Sequence, residues 1–416
     1  MRFLPVLSLL WLSAACATPA HLVVTASDTV ATVPEAARAL ATADVVVLGE
    51  THRTPAVHTL HHELLAALHE RRPNLVIAME MFERDVQTAL LQYLAGMIDE
   101  DTFLARSRPW PHYASDYRPV VEFAKEHGLL VLAANAPQEL VRRVAKEGIQ
   151  SVAGSPDIAR ETTAPEDEYW DDFVTVMTTD GGAHVDAGSL PNLYAAQCLR
   201  DDTMAETIVD HLRARRAVGD RPLCVLVCGH GHSDHGRGTV ARIKSRLPEL
   251  ELRSVTTELV ADIADRTYSV PPTIADYVVV AEGAPSQRPA RAGAPRSKPV
   301  PEAPAPVATK PVASEPPAAA RNPEGQRPAL GLMPDYADAG GKGVLVESVR
   351  EGGPAYTAGI EEGDYITAIA GVEVPDVQTY AEVLDEQIIG RTVTVRVRRG
   401  DAEVDLQVKI GSRQAR

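Results

Sequence analysis

The chain carries none of the short motifs that fix a nucleotide or a serine nucleophile. It has no Walker A segment and no GxGxxG, so the glycine-rich turns that cradle phosphates are missing. GxSxG is absent, as is the HExxH pattern of helical zinc proteases. Excess positive charge is lacking too. Against 57 Asp and Glu stand 41 Lys and Arg, a net charge of −16 that argues against nucleic acid as the main partner. Apart from the N-terminal segment, no apolar run reaches the ~18 residues of a membrane-spanning helix. Cysteine is scarce, with four in 416 residues. Cys224 and Cys228 share one β-like run, where four residues span roughly 13 Å, too far for a disulfide. Neither has CxxC spacing, which removes a zinc–thiolate site. Cys198 could bridge one of them, but all three read as small buried apolar residues.

What is present begins with an export signal. Met1-Arg2 supplies one positive charge, Phe3 to Leu12 is almost wholly apolar, and Ser13-Ala14-Ala15-Cys16 follows. Small residues before a cysteine resemble the bacterial lipobox, which makes Cys16 the expected lipidation site and residues 1–20 the signal segment. A diacylated, N-acylated cysteine anchors firmly because more than one chain enters the bilayer. The expected location is therefore the bacterial cell envelope, as a membrane-anchored lipoprotein. Simple cleavage to a soluble periplasmic or secreted form is the alternative.

Composition then divides the rest. From Pro285 to Pro328 the chain holds 12 of its 31 prolines and almost no large apolar residue. Such a stretch cannot bury enough surface to offset its ordering entropy. Residues 284–327 are therefore expected to be a disordered, semi-rigid tether. It separates a domain at 21–283 from a second at 328–412.

The first domain alternates strand-like and helix-like segments. Asp44–Leu48, Leu75–Met79, Leu129–Ala133 and Leu223–Cys228 are β-branched or leucine-rich runs of the kind buried on both faces. Helical patterns fill Pro55–Glu70, Asp85–Leu94, Pro137–Lys146 and Met204–Arg216. The βαβα order predicts an α/β fold, a mostly parallel sheet with helices on both faces. Ligands in such sheets bind beyond the carboxyl ends of the strands. The strand ends here are Gly49-Glu50-Thr51-His52, Glu80 to Glu83, Ala134-Asn135-Ala136 and Gly229-His230-Gly231-His232. Glu, His, Asn and Gly thus gather at one expected edge.

Glu50 and His52 flank one residue, and a histidine beside a carboxylate serves as general base, metal ligand or tuned pair. Glu80 stands at the neighbouring strand end. A plain alternative is that Glu50 or Glu80 satisfies loop amides. In the helix after His52, Val57, Leu60, His61, Leu64, Leu65 and Leu68 form an apolar stripe. At 100° per residue, His58, His62 and His69 share one flank. Three imidazoles there suit a metal, a haem or a solvated face. His230, His232 and His235 stand among glycines that let backbone approach a ligand. Trp110, His112, Tyr113, Asp116 and Tyr117 form an aromatic patch, suited to a porphyrin or to ordinary packing.

With these residues in view, the region resembles the ChaN-like family of haem-binding bacterial lipoproteins, in the Tiki/erythromycin-esterase-type superfamily. The matching pieces are Leu48-Gly-Glu-Thr-His52 with His58, Ala78-Met-Glu-Met-Phe82 with Gln87, Tyr117 to Ala124, Ala133 to Pro137, Asp201 to Ala205 and Gly229 to His232. They follow family order over about 190 residues. The resemblance implies haem binding, with a role in haem or iron uptake. It also implies haem at a homodimer interface, held by a tyrosine or histidine. The candidate ligands are Tyr117, Tyr113, His58 and His52. The related Tiki proteins imply an alternative, a hydrolase or protease using Glu50, His52, Glu80 and His232. In that reading His52, His230 and His232 hold a divalent metal.

The C-terminal segment resembles a bacterial PDZ domain over its whole length. The carrying residues are Leu330-Gly-Leu332, Gly353-Pro-Ala355, Ala358-Gly-Ile360 and Gly363-Asp364. The resemblance implies capture of C-terminal peptides or protein tails by strand addition. Backbone amides of Leu330, Gly331 and Leu332 would hold the carboxylate, and Leu332, Tyr380 and Leu384 would line the side-chain pocket.

Overall fold

The computed structural model describes residues 20–110, 112–179, 188–263, 273–283, 326–334, 343–374, 379–380, 383–384, 387–400 and 402–414. Residues 1–19 with Cys16 and residues 284–325 lie outside them, while Ala20 opens a strand and the last two tether residues, Gln326 and Arg327, open another. In the N-terminal part the strands are β1 (Ala20–Val24), β2 (Thr29–Ala31), β3 (Val45–Glu50), β4 (Leu75–Glu83), β5 (Leu130–Asn135), β6 (Leu223–Gly229), β7 (Leu252–Val260) and β8 (Tyr277–Glu282). The helices are α1 (Val33–Leu40), α2 (Pro55–Arg71), α3 (Gln87–Leu94), α4 (Glu100–Ser107), α5 (Tyr113–Asp116), α6 (Arg118–Glu126), α7 (Gln138–Glu147), α8 (Glu168–Thr179), α9 (Leu190–Ala217) and α10 (Gly238–Arg246).

The sheet order is β2-β1-β8-β7-β3-β6-β4-β5. The pairs β3–β6, β3–β7, β4–β6 and β7–β8 are parallel, whereas β1 runs antiparallel to β8 and β2 at one edge. This is the mostly parallel α/β sheet that the alternating runs imply. Val45 to Leu48 of β3 and Leu223 to Leu226 of β6 are fully buried. Each such side chain is worth about 1.5–3 kcal/mol of burial. The second strand is longer than the sequence suggests. It continues through Met81 and Phe82, both buried, so Glu80 lies inside the strand. Cys198, Cys224 and Cys228 are buried thiols that no disulfide joins.

Helix α2 starts with Pro55 in its first turn and buries Val57, His61, Leu64, Leu65 and Leu68 of the stripe read from spacing, while Leu60 is half-buried. Helix α9 starts fourteen residues before the expected Met204. Its Asp201, Asp202 and Glu206 are buried because they bind fixed partners: the Tyr169 hydroxyl, the Thr163 amide and the Arg84 guanidinium.

Two compact units make up the chain. One holds Met1–Glu80, Ala114–Leu132 and Ile208–Ser286; the other holds Met81–Tyr113, Ala133–Thr207 and Gln287–Arg416. In the second, the C-terminal segment has β9 (Gln326–Ala329), β10 (Leu332–Pro334), β11 (Val344–Val349), β12 (Tyr365–Ile369), β13 (Val372–Glu373), β14 (Thr392–Arg399), β15 (Ala402–Lys409), β16 (Gly411–Gln414) and the helix α11 (Pro354–Ala358), and Thr379, Tyr380, Val383 and Leu384 are helical too. Strands β10-β11-β12-β14-β15 follow one another in a sheet with β13 beside β12, and β9 pairs β16. Leu330, Leu332, Val346, Ile366, Tyr380 and Leu384 share its core. Buried Asp364 accepts two hydrogen bonds from Arg399, each 2.7 Å. Among the described residues no helix is long and apolar enough to cross a membrane.

Candidate functional site

Strands β3, β6 and β4 lie side by side and point the same way, so their carboxyl ends meet at one rim. Glu50 sits opposite Gly229 in the β3–β6 register. On the other flank of β6, Glu80 accepts the Gly229 amide at 2.7 Å and contacts His232 Nε2 at 3.2 Å. Glu80 thus serves one loop amide, as the plain reading allowed, and also backs an imidazole. Both carboxylates are buried.

Glu50 is the centre of the arrangement. Its Oε1 meets His52 Nδ1 at 2.8 Å and accepts the Tyr117 hydroxyl at 2.8 Å. His58 Nε2 lies 3.4 Å from the same oxygen, and His58 Nδ1 lies 3.5 Å from Asp116 Oδ1. These two contacts are ion pairs rather than hydrogen bonds. Helix α5 and the start of α6 deliver Asp116 and Tyr117, and the first turn of α2 delivers His58. All of these residues belong to the first compact unit.

The electrostatics follow from that packing. Burial favours a neutral Glu50, but contacts with His52 and His58 reverse this and hold its carboxyl far below the ordinary range. Burial opposes charge on His58 as well, yet Asp116 and Glu50 on either side raise it to about 9. His52 is raised against its own burial by Glu50 and then Glu80, while His232 pushes it down. His52 and His232 therefore sense each other at the same rim. Burial, opposed chiefly by the His232 charge, leaves Glu80 lowered to about 2. His61 is a different case: burial lowers it to about 4, and neither ring nitrogen has a hydrogen-bond partner. Burial and the Glu50 charge raise the Tyr117 phenol far above its usual range.

The glycines at the rim differ in purpose. A Cβ on Gly229 would stand 2.8 Å from His52 Nε2 and 3.7 Å from Glu80 Oε2. One on Gly49 would meet the Ser233 hydroxyl at 2.5 Å and His230 Cα at 3.1 Å, so Gly49 lets the 230–233 turn cross the end of β3. One on Gly231 would meet nothing within 4 Å.

Four expected ligands for haem separate clearly. Tyr117 is 2 % exposed with its hydroxyl committed to Glu50. Tyr113 is buried against Phe82 and Phe103, ring centres 6.2 and 6.0 Å away. His58 is held between Glu50 and Asp116. In the folded chain all three side chains are buried. The small cavity that Tyr117 and His58 line with His61, Leu48 and Leu65 holds about one water-sized sphere and excludes a porphyrin. His52 is 31 % exposed and reaches the surface. Of the aromatic patch, Tyr113 and Tyr117 are packed inside the fold.

Among the described residues no three His, Cys, Asp or Glu side chains stand where they could hold one ion. His230 turns to Asp234 at 3.0 Å and His232 to Glu80. For the hydrolase reading, Glu50 and Glu80 are buried orienting groups, and only His52 of the set is substantially open. Asn135 is buried and accepts the Ala136 amide. Sequence reasoning passed over Asp116 as the partner of His58 and Gly229 as a spacer. Asp116, one residue before Tyr117, carried a usable signal; a steric role for one glycine did not.

Comparison with known proteins bears on these features. Residues 36–243 match the model described as haem-binding uptake, Tiki superfamily, ChaN. Residues 324–410 match the PDZ domain. A solved structure titled as cofacial haem binding to ChaN of Campylobacter jejuni shares the fold with a TM-score of 0.51. It is 16% identical and covers 64% of this chain and 97% of that one. RETICULATA-RELATED 5, a chloroplastic protein of Arabidopsis thaliana, is 25% identical over 228 residues, 50% of this chain and 30% of that protein. The serine protease Do-like HtrA of Lactobacillus helveticus is 35% identical over 88 residues, 21% of this chain and 20% of that protein. The chain spans less than a third of the length of these two curated relatives.

Proposed function

We propose that this chain, which belongs to the haem-binding uptake family of the Tiki superfamily that includes ChaN, holds haem at the carboxyl rim of its parallel sheet through His52 and docks peptide or protein tails on its PDZ domain. The observation that carries the first half is the 2.8 Å contact between Glu50 and His52 Nδ1 on a ring that reaches the surface. A carboxylate that accepts a hydrogen bond from Nδ1–H fixes that tautomer and leaves the Nε2 lone pair to ligate. Histidine so backed is a common axial ligand of haem iron. The donor set therefore fits the group. The iron supplies Lewis acidity and redox capacity; the chain positions, and His58 with Tyr117 fixes the carboxylate that does the positioning.

The second half rests on β10. It is the terminal strand of its sheet, the edge at which a peptide strand adds. Gly331 holds φ +73, while the Leu330 and Gly331 carbonyls accept the Ala355 and Arg350 amides. Those bonds fix the loop whose amides would take a terminal carboxylate. Leu332, Tyr380 and Leu384 meet in one apolar cluster, suited to an apolar last residue.

The wider role we read is haem or iron uptake by an envelope lipoprotein anchored through Cys16. The PDZ domain would tether it to a partner. A homodimer suits cofacial haem binding of the kind named for the Campylobacter jejuni protein. Haemin titration of the protein without its signal segment tests the core of the proposal. A saturable Soret shift is expected, lost in His52→Ala; no shift in the unaltered protein would end the haem reading. Labelled peptides with free and amidated C-termini test the PDZ half, and equal binding of both would refute carboxylate capture.

A further inference from the structure

The flank of His58, His62 and His69 on α2 does not survive as a trio. His58 turns into the Glu50 network, and His62 lies across the Phe123 ring, centroids 5.6 Å apart. His69 instead acquires a partner that its own helix does not supply. His127, the residue capping the C-terminus of α6, stands with its ring centre 4.7 Å from that of His69, the planes at 74°. We infer that His69 and His127 form a surface site for a first-row transition-metal ion, held by two imidazoles from two helices and completed by solvent.

Three features favour an ion over a bare packing contact. The first is spacing. With a metal–nitrogen bond of ~2.0–2.1 Å, an ion lies about 3.2 Å from each imidazole centre. Two rings on one ion are then about 4.5 Å apart at a right angle and about 5.2 Å at the tetrahedral angle. The observed 4.7 Å falls between these limits. The second is tautomer. His127 Nδ1 lies 2.9 Å from the Phe123 carbonyl and donates to it, which leaves the lone pair on Nε2. That is the hydrogen-bonding state of a ligating histidine. The third is rigidity. Phe123 is buried at the end of α6 and packs on both rings, 4.3 Å from His127 and 5.6 Å from His69. His69 is in the last turn of α2.

Imidazole ligands suit copper, nickel and zinc, with Cu(II) bound most tightly. The site lies apart from the rim, on residues for which the proposed haem binding has no use. Its test uses the full chain with Cu(II) and Ni(II) ions as probes. In the unaltered protein, pulsed EPR at one equivalent of Cu(II) should show two coupled imidazoles. His69→Gln and His127→Gln should each weaken that equivalent at least tenfold, the double variant no more than either, and His62→Gln not at all. Equal affinity and equal stoichiometry in both single variants would overturn the site. A second readout needs no substitution: Cu(II) should protect His69 and His127 together from diethyl pyrocarbonate. Unchanged modification of both residues would refute the inference regardless of how the variants fold.

Discussion

Replacing Gly229 by alanine should damage the rim while leaving the fold intact. The new Cβ would stand 2.8 Å from His52 Nε2 and 3.1 Å from Cε1. Ordinary contact begins at 3.4 Å, so the ring must retreat by 3.4 − 2.8 = 0.6 Å or more. His52 cannot do so freely, because Glu50 holds Nδ1 at 2.8 Å. Leaving a rotamer well costs about 0.5–1.5 kcal/mol. The backbone itself raises no objection, since Gly229 has φ −60 and ψ 142. Losing a glycine from the unfolded chain even returns about 0.4–1 kcal/mol. The two terms nearly cancel in stability, but a displacement approaching 1 Å at a ligating atom can cost on the order of 100-fold in function. Haemin affinity from the Soret titration should therefore fall at least tenfold, with the urea midpoint close to that of the parent protein. Gly231→Ala, with nothing within 4 Å, is the control and should change neither. Unchanged affinity in Gly229→Ala would refute the placement of His52 at the binding surface.

Further outcomes follow from the buried charges and the turns. Glu50→Gln removes the anion that His52, His58 and Tyr117 share, and should lower stability by about 3 kcal/mol or more in urea unfolding. Stability should peak near pH 6.5. His58, raised to about 9, contributes fully below 6.5 and loses that contribution as pH rises toward 9. His61, lowered to about 4, stays neutral in the fold, so the unfolded chain gains protons first as pH falls from 6.5 toward 4. Glu80, lowered to about 2, holds its contribution above 4.5 and loses it as pH falls toward 2. Urea unfolding across pH checks this, and His58→Gln should flatten the alkaline limb. In the PDZ region Gly343→Ala places a Cβ against the Ile366 carbonyl at φ +102 and should destabilise that core by about 3 kcal/mol, read by limited proteolysis.

Much of the fold was readable because buried parallel strands leave plain runs. Val45 to Leu48 and Leu223 to Cys228 have no polar residue to confuse the pattern. Strand β7 was missed because Arg253, Thr256, Thr257 and Glu258 interrupt it, although Thr256 and Thr257 are buried. The early part of α9 was missed for a related reason: Arg200-Asp201-Asp202 looks like a break until its partners are known. For the site, residue types at strand ends were enough to gather Glu50, His52, Glu80 and His232. They could not say which way a ring turns. Tyr117 and His58 point at the same buried oxygen, a fact set by α5 and α6 packing on α2 rather than by spacing along the chain. His127 lay outside every pattern because its relation to His69 exists only between helices.

The central claim is that an imidazole backed by a buried carboxylate, and no buried tyrosine, is what the rim offers to haem. Parallel haemin titrations of His52→Ala and Tyr117→Phe test it most directly. The account expects the Soret shift to vanish in the first and persist in the second. A shift retained by His52→Ala and abolished by a folded Tyr117→Phe would contradict it.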